Sequence, residues 1–269
     1  MEQVKIGFIG CGNMGGALLE AVAKSIDASC IYICDQSAEK LSYYCEKLGV
    51  NQASTDDLIA VCDYIFLGVK PQMFADLFDT LRPMLAKRQN ALTLITMAAG
   101  VSVGAVETMA GIACGIIRIM PNTPVSVGEG MILYTCNSAV SDQSLQIFLN
   151  AMEQAGTLDR IPEEKIDAAS ALSGCGPAFV YMFAEALADG AVECGLPRDR
   201  AMLYAAQTLL GASKLMLESG KHPGELKDAV CSPGGTTIAG VHALENGGFR
   251  SCAMDAVNAA YQRTLELKK

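Results

Sequence analysis

The chain has no tryptophan and, in 269 residues, two histidines, His222 and His242. A Ser-His-Asp triad, a two-histidine metal site and a histidine acid for hydride transfer therefore have few candidates. There is no C-x-x-C pair either. The eleven cysteines are odd in number and scattered from Cys11 to Cys252, and most, like Cys62, Cys114 and Cys194, sit in apolar stretches. Neither a disulfide framework nor a metal site is expected from this spacing, and reduced thiols in such places behave as small hydrophobes in a reducing compartment. Basic excess is missing as well: 20 Lys and Arg against 29 Asp and Glu leave a net charge of -9. No groove for nucleic acid and no polybasic membrane patch is expected. Met-Glu-Gln leads straight into a strand, without the charged, apolar and cleavage regions of a secretion signal. A cytoplasmic location is the expectation.

What is present is apolar material, 51% of residues, enough for one large domain or two modest ones. Residues 4–9 read as a buried strand, then a glycine turn and a helix over 13–25. Further strands are expected at 30–34, 64–67, 92–96 and 115–120, with helices between them, so the first half should be βαβ units on a parallel sheet. Pro71 suits the first turn of the helix after the strand at 64–67. Near Pro162 the alternation stops, and long Ala- and Leu-rich helices follow, broken by Gly-Pro, Leu-Pro and His-Pro-Gly. The expected division is 1–161 for an α/β domain and 162–269 for an all-helical one. Between Ala178 and Cys194 the helix is apolar nearly all round except for Glu185, Asp189 and Glu193 at i, i+4, i+8. That stripe reads as a solvated or interface face rather than a metal site, and the segment as too short and too charged to span a bilayer. So apolar a helix in so small a domain implies burial against another copy of the chain.

Gly10-Cys11-Gly12-Asn13-Met14-Gly15 lies between expected strand and expected helix, the context the G-x-G-x-x-G mechanism requires. Gly10 permits the tight turn, Gly12 lets the backbone approach a pyrophosphate, and Gly15 lets helix and strand pack closely. The helix N-terminus faces the phosphate charge. The expected first domain is thus a Rossmann-type dinucleotide-binding domain. Asp35, twenty residues after Gly15, stands where an acid accepts hydrogen bonds from the adenosine ribose of NADH and repels a 2′-phosphate. The competing reading is a loop aspartate ahead of a Ser37 helix cap, and Lys40 lies close by. Val69-Lys70-Pro71 and Ala98-Ala99-Gly100 follow strands and should line the cofactor cleft at the carboxyl edge, although Lys70 also fits a solvated surface charge. Asn122, in the two-proline turn Met120-Pro121-Asn122-Thr123-Pro124, is either a turn residue or a contact at the nicotinamide end. Farther on, Ser232-Pro233-Gly234-Gly235-Thr236-Thr237 is a glycine-rich loop opening a helix, a receptor for a carboxylate, with the threonines alternatively serving only as N-cap residues.

GFIGCGNMG, the VKP after the strand at 64–67, AAGV, MPNTP, LSGCGPAF and HPGELKDAVCSPGGTTIAGVHALENGGFR together resemble pyrroline-5-carboxylate reductases over nearly the whole chain. The resemblance implies hydride transfer from NADPH or NADH to the imine carbon of 1-pyrroline-5-carboxylate, giving L-proline in the last step of proline biosynthesis. It implies that the backbone from Ser232 through Thr236, with Gly234 and Gly235, binds the substrate carboxylate and that the Thr237 hydroxyl lies beside the ring nitrogen. It also implies a homodimer or larger homo-oligomer built on the helical domain. Where many members carry small hydroxyl residues suited to NADPH, this chain has Cys34-Asp35-Gln36-Ser37, which favours NADH. The alternatives are a related imine reductase, a 3-hydroxyacid dehydrogenase with a catalytic lysine (Lys214, Lys221 or Lys227), and a non-catalytic dinucleotide sensor.

Overall fold

The structure, a computed structural model, describes residues 4–266; the Met-Glu-Gln opening lies outside the described residues. Two compact units divide the chain. The first runs to Gly174 and takes in the chain again from Arg263; the second is Cys175–Gln262.

The first unit carries strands β1 (Ile6–Ile9), β2 (Ile31–Cys34), β3 (Asn51–Gln52), β4 (Tyr64–Leu67), β5 (Thr93–Thr96), β6 (Gly115–Met120), β7 (Gly130–Cys136) and β8 (Gly156–Arg160). Its helices are α1 (Asn13–Ser25), α2 (Ala38–Leu48), α3 (Thr55–Val61), α4 (Phe74–Leu85), α5 (Val103–Ala110), α6 (Asp142–Ala151) and α7 (Ile166–Ser173). The sheet order is β3-β2-β1-β4-β5-β6-β7-β8. Its first six strands are the 3-2-1-4-5-6 order of the Rossmann fold. Strands covered on both faces read as continuous apolar runs, as IGFI and YIFL do. Alternate residues then feed two cores. Phe8 and Phe66, in register and stacked at 4.5 Å, face Leu18, Leu19, Val22 and Phe148, whereas Ile9, Ile65 and Leu67 face Leu58, Phe74, Phe78 and Val106.

Two expectations change. The sheet is not wholly parallel, because β7 runs antiparallel to β6. The connection is the two-proline segment with a short 3-10 turn at Thr123–Val127, and a short link can join only antiparallel neighbours. After α6, β8 then returns parallel to β7. The first unit also outlasts the expected boundary at 161. Arg118 on β6, 3% exposed, binds Glu163 through Nη1 at 2.9 Å and faces Asp167 through Nη2 at 3.5 Å. The same Glu163 carboxylate accepts the Val103 amide at 2.8 Å, and the Asn122 Nδ2 donates to the Ser173 carbonyl at 2.9 Å. These bonds, with buried Ile166 and Ala171, hold α7 on the sheet unit.

The second unit is α8 (Gly176–Glu193), α9 (Arg198–Ser219), α10 (Pro223–Ala229), α11 (Thr236–Asn246) and the main part of α12 (Phe249–Glu266). Its buried cluster is Ala188, Ala201 and Ala205, while Tyr181, Met182, Leu203, Tyr204, Leu210 and Leu217 are exposed, the last by 80%. An apolar surface this extensive belongs under a partner surface. Within the continuous stretch Glu163–Glu193 an 18-residue window reaches a mean hydropathy of 1.3, by length and composition apolar enough to cross a membrane. In the acidic stripe Asp189 is ion-paired with Arg198 at the surface.

Candidate active site

The glycine turn is shaped by close backbone contacts. Gly10 has φ +95°, which only glycine adopts without strain, and its N–H donates to the Cys34 carbonyl at 2.8 Å. A Cβ on Gly15 would collide with the Gly10 carbonyl oxygen, and one on Gly68 would meet the same atom. Gly68, at the end of β4, is therefore a third member of this contact. The sequence gives no sign of this role, since a single glycine after a strand carries no pattern. Gly12 differs: a Cβ there would meet nothing within 4 Å. It is the N-cap of α1 without a side-chain cap, and the first intrahelical bond runs from the Gly16 N–H to the Gly12 carbonyl at 2.7 Å. The Asn13, Met14 and Gly15 amides have no acceptor within the helix and sit at the positive end of its dipole. Open space over free amides is what a dinucleotide pyrophosphate fits.

Asp35 follows β2 directly. Its Oδ2 accepts the Cys11 amide at 2.7 Å and its Oδ1 the Ser37 amide at 2.9 Å, so it ties the turn to the end of β2. The Ser37 hydroxyl caps α2 by accepting from the Lys40 amide. The loop aspartate ahead of a Ser37 helix cap is thus what these contacts show. Beside it is a cavity of about 370 Å³ lined by Cys11, Gly12, Asn13, Ser37, Glu39, Lys40, Tyr43 and Tyr44. Tyr44 packs its hydroxyl on Gly16, leaving no room there for a side chain. Burial, with Asp35 adding to it, pushes the Cys11 thiol up to about 12, so Cys11 is a neutral packing residue. Burial likewise raises Cys62 to about 12 and Cys114 to about 11. Iodoacetamide at about pH 8 should leave all three unlabelled in the folded protein and label them after denaturation, as peptide mass spectrometry would read. Native labelling of Cys11 would contradict its burial.

The parallel strands put the other candidates of this unit along one carboxyl edge. Val69 is half-buried, and Lys70 is exposed as the N-cap of the 3-10 turn that begins with Pro71. Ala98 is buried, whereas Ala99 and Gly100 are exposed, and the Val101 amide closes their turn on the Ala98 carbonyl at 3.3 Å. Asn122 is buried; its Oδ1 accepts the Met131 amide at 2.9 Å while Nδ2 serves Ser173. Any contact from Asn122 to a cofactor falls to its backbone or the remaining Nδ2 hydrogen.

In the second unit, the Gly235 amide donates to the Ser232 carbonyl at 3.0 Å, with Pro233 and Gly234 between them and Gly234 at φ +68°. Proline then a glycine at positive φ is the sequence of a type II turn. The N-cap of α11 is Gly235, with no side-chain cap. Thr236 and Thr237 therefore lie inside the first turn, exposed, and neither caps the helix. Their amides and that of Ile238 have no intrahelical acceptor. Both histidines are engaged locally: Nδ1 of His222 accepts from the Gly224 amide, and His242 bonds Asn246. Lys214, Lys221 and Lys227 each pair with a neighbouring carboxylate, Glu218, Glu225 and Asp228.

A Rossmann sheet whose glycine turn presents free amides beside an open cavity, joined to a helical unit with an uncapped glycine loop, defines a nicotinamide-dinucleotide oxidoreductase. Residues 5–100 match the family model described as NADP oxidoreductase, coenzyme F420-dependent, and residues 163–267 match that for pyrroline-5-carboxylate reductase dimerisation. Pyrroline-5-carboxylate reductase 3 of Danio rerio is 42% identical over 268 residues, 98% of this chain and 92% of the relative. The Escherichia coli K12 pyrroline-5-carboxylate reductase is 39% identical over 272 residues, covering 100% of both chains. A crystal structure of Plasmodium falciparum pyrroline carboxylate reductase with NADP bound superposes with a TM-score of 0.86 at 32% identity, again over 100% of both. The chain belongs to the pyrroline-5-carboxylate reductase family. The exposed faces of the helical unit accordingly belong to a homo-oligomer.

Proposed function

We propose that this chain reduces 1-pyrroline-5-carboxylate to L-proline with NAD(P)H, in the cytoplasm, as a homodimer or larger homo-oligomer without nucleic-acid or membrane partners. The reduced nicotinamide, when bound, supplies a hydride. The substrate in its protonated iminium form is already electrophilic at the imine carbon, C2 of the pyrroline ring, so hydride addition there gives the secondary amine without a separate acid, in keeping with a chain whose histidines are both engaged elsewhere. The protein's task is then placement. Gly10 to Gly15 and the edge residues Val69 to Pro71 and Ala98 to Gly100 hold the cofactor. Ser232 through Thr236 hold the carboxylate, and the Thr237 hydroxyl orients the ring nitrogen.

The observation that carries this reading is the turn at Ser232–Gly235. It leads into a helix N-terminus without a side-chain cap and leaves both threonine hydroxyls free of capping. Thr237→Ala should lower kcat about 100-fold, the size expected for a lost donor at the reacting group, while the Kd for cofactor stays unchanged. Thr237→Ser should recover most of the loss. An unchanged kcat would reduce Thr237 to a helix residue. Cofactor oxidation with pyrroline-5-carboxylate, a six-membered cyclic imine carboxylate and a 3-hydroxyacid in parallel separates the substrate classes. Turnover of the hydroxyacid alone would replace this reading.

A further inference from the structure

We propose that the pocket beside Asp35 selects the 2′-hydroxyl of NADH against the 2′-phosphate of NADPH, with Asp35 both locking the glycine turn and reading the ribose. This rests on the assignment of a dinucleotide to that turn. A carboxylate has about four lone-pair sites, and the Cys11 and Ser37 amides occupy one on each oxygen. One acceptor site per oxygen remains, on a side chain that is 11% exposed and bonded to Cys11 and Ser37, two residues of the cavity lining. Ribose hydroxyls can donate to both. A 2′-phosphate has no proton to offer and carries about -1.5 to -2 charge near neutrality.

The surrounding charges do not compensate. The cavity lining holds Glu39 and a single cation, Lys40, and no arginine. Lys40 is already 4.0 Å from Asp35 Oδ2, so Asp35, Glu39 and Lys40 together leave one negative charge where a phosphate would sit. Sites that accept the 2′-phosphate instead provide an arginine there. The Ser37 oxygen is engaged with the Lys40 amide, which leaves its hydroxyl proton as one donor against two carboxylates. The Plasmodium falciparum relative was solved with NADP; by this inference the present chain reads the ribose the other way.

The test is equilibrium binding by calorimetry, without substrate, of 5′-AMP and adenosine 2′,5′-bisphosphate, which differ only by the 2′-phosphate, followed by NADH and NADPH. The parent protein should bind 5′-AMP and NADH tighter than their 2′-phosphorylated counterparts by about 10-fold or more, one order in Kd. Asp35→Asn removes the charge but keeps one acceptor oxygen; it should shift that ratio toward the bisphosphate by about 10-fold. Because Asp35 also holds the turn, Glu39→Gln provides a second arm. It should strengthen bisphosphate binding and leave 5′-AMP binding unchanged. Equal or tighter binding of the bisphosphate by the parent overturns the inference, as does an unchanged ratio in both variants. A protein that discriminates as expected but fails to reduce pyrroline-5-carboxylate would overturn the assigned reaction and uphold the reading of the ribose.

Discussion

Gly12→Ala should leave the thermal midpoint of the protein within about 1 °C of the parent and weaken NADH binding by about 100-fold, or ~2.7 kcal/mol. Gly15→Ala, three residues along the same turn, should do both kinds of damage. The difference is geometric. Around Gly12 an added methyl meets nothing within 4 Å, so the cofactor-free fold has room for it. In the proposed placement of the cofactor that room is the approach path of its pyrophosphate to the α1 amides, and a methyl held there would keep the phosphate from hydrogen-bond distance. At Gly15 the methyl would run into the Gly10 carbonyl oxygen, an atom of the turn itself, with the Gly68 backbone close behind. Backbone cannot rotate away as a side chain can. Helix α1 would have to lift from β1, at a cost of about 1–3 kcal/mol for overpacking, in addition to lost cofactor binding. Thermal melts and NADH titration of the two variants suffice. If Gly12→Ala bound NADH like the parent, the space above Gly12 would not be the phosphate site.

Arg118→Met should destabilise the sheet unit by about 3–5 kcal/mol, the usual result of removing one partner of a buried ion pair. Glu163 is about a third exposed and can be rehydrated, which places the effect toward the low end. Asp167, 10% exposed, loses its counter-charge in a place where water reaches it poorly. At about 2–4 °C per kcal/mol for a unit of this size, the midpoint should fall on the order of 10 °C. The damage should spread to α5, since Glu163 also accepts the Val103 amide at its first turn, directly after the Ala98-Ala99-Gly100 loop. Pairing Arg118→Met with Asp167→Leu should recover much of the loss, because apolar groups of similar volume can replace a buried ion pair. A midpoint within about 2 °C of the parent for the single variant would mean that α7 is held by Ile166 and Ala171 packing alone.

Strands β1, β2, β4, β5 and β6 were legible because they are mainly apolar runs, and α2 and α4 have start signals in Ser37 and Pro71, whereas the two-residue polar β3 was not. The antiparallel β7 was not. Its direction depends on how a short proline-containing connection reverses, and no residue in GMILYTC encodes direction. The seating of α7 on the sheet unit, past residue 161, was not legible for a similar reason. Arg118 sits inside GIIRIM as a charge in a buried strand, which signals a partner, but that partner lies 45 residues away at Glu163. Gly68 and Tyr44 were invisible because their roles arise only where two backbones, or a ring and a glycine, come into contact.

By itself the sequence determined the glycine turn, the alternation that builds a parallel sheet, the change to helices and the SPGG turn, since each follows from local conformational preference and periodicity. It also carried the family pattern that points to the imine substrate. Tertiary structure decided what local preference cannot express. It tied Asp35 to the Cys11 and Ser37 amides, sealed the Gly10, Gly15 and Gly68 contact, reversed β7, and anchored α7 through Arg118. Asp35 with Cys11, Gly68 with Gly10 and Arg118 with Glu163 are pairs far apart in the chain, whose energies count only when the fold brings them into contact.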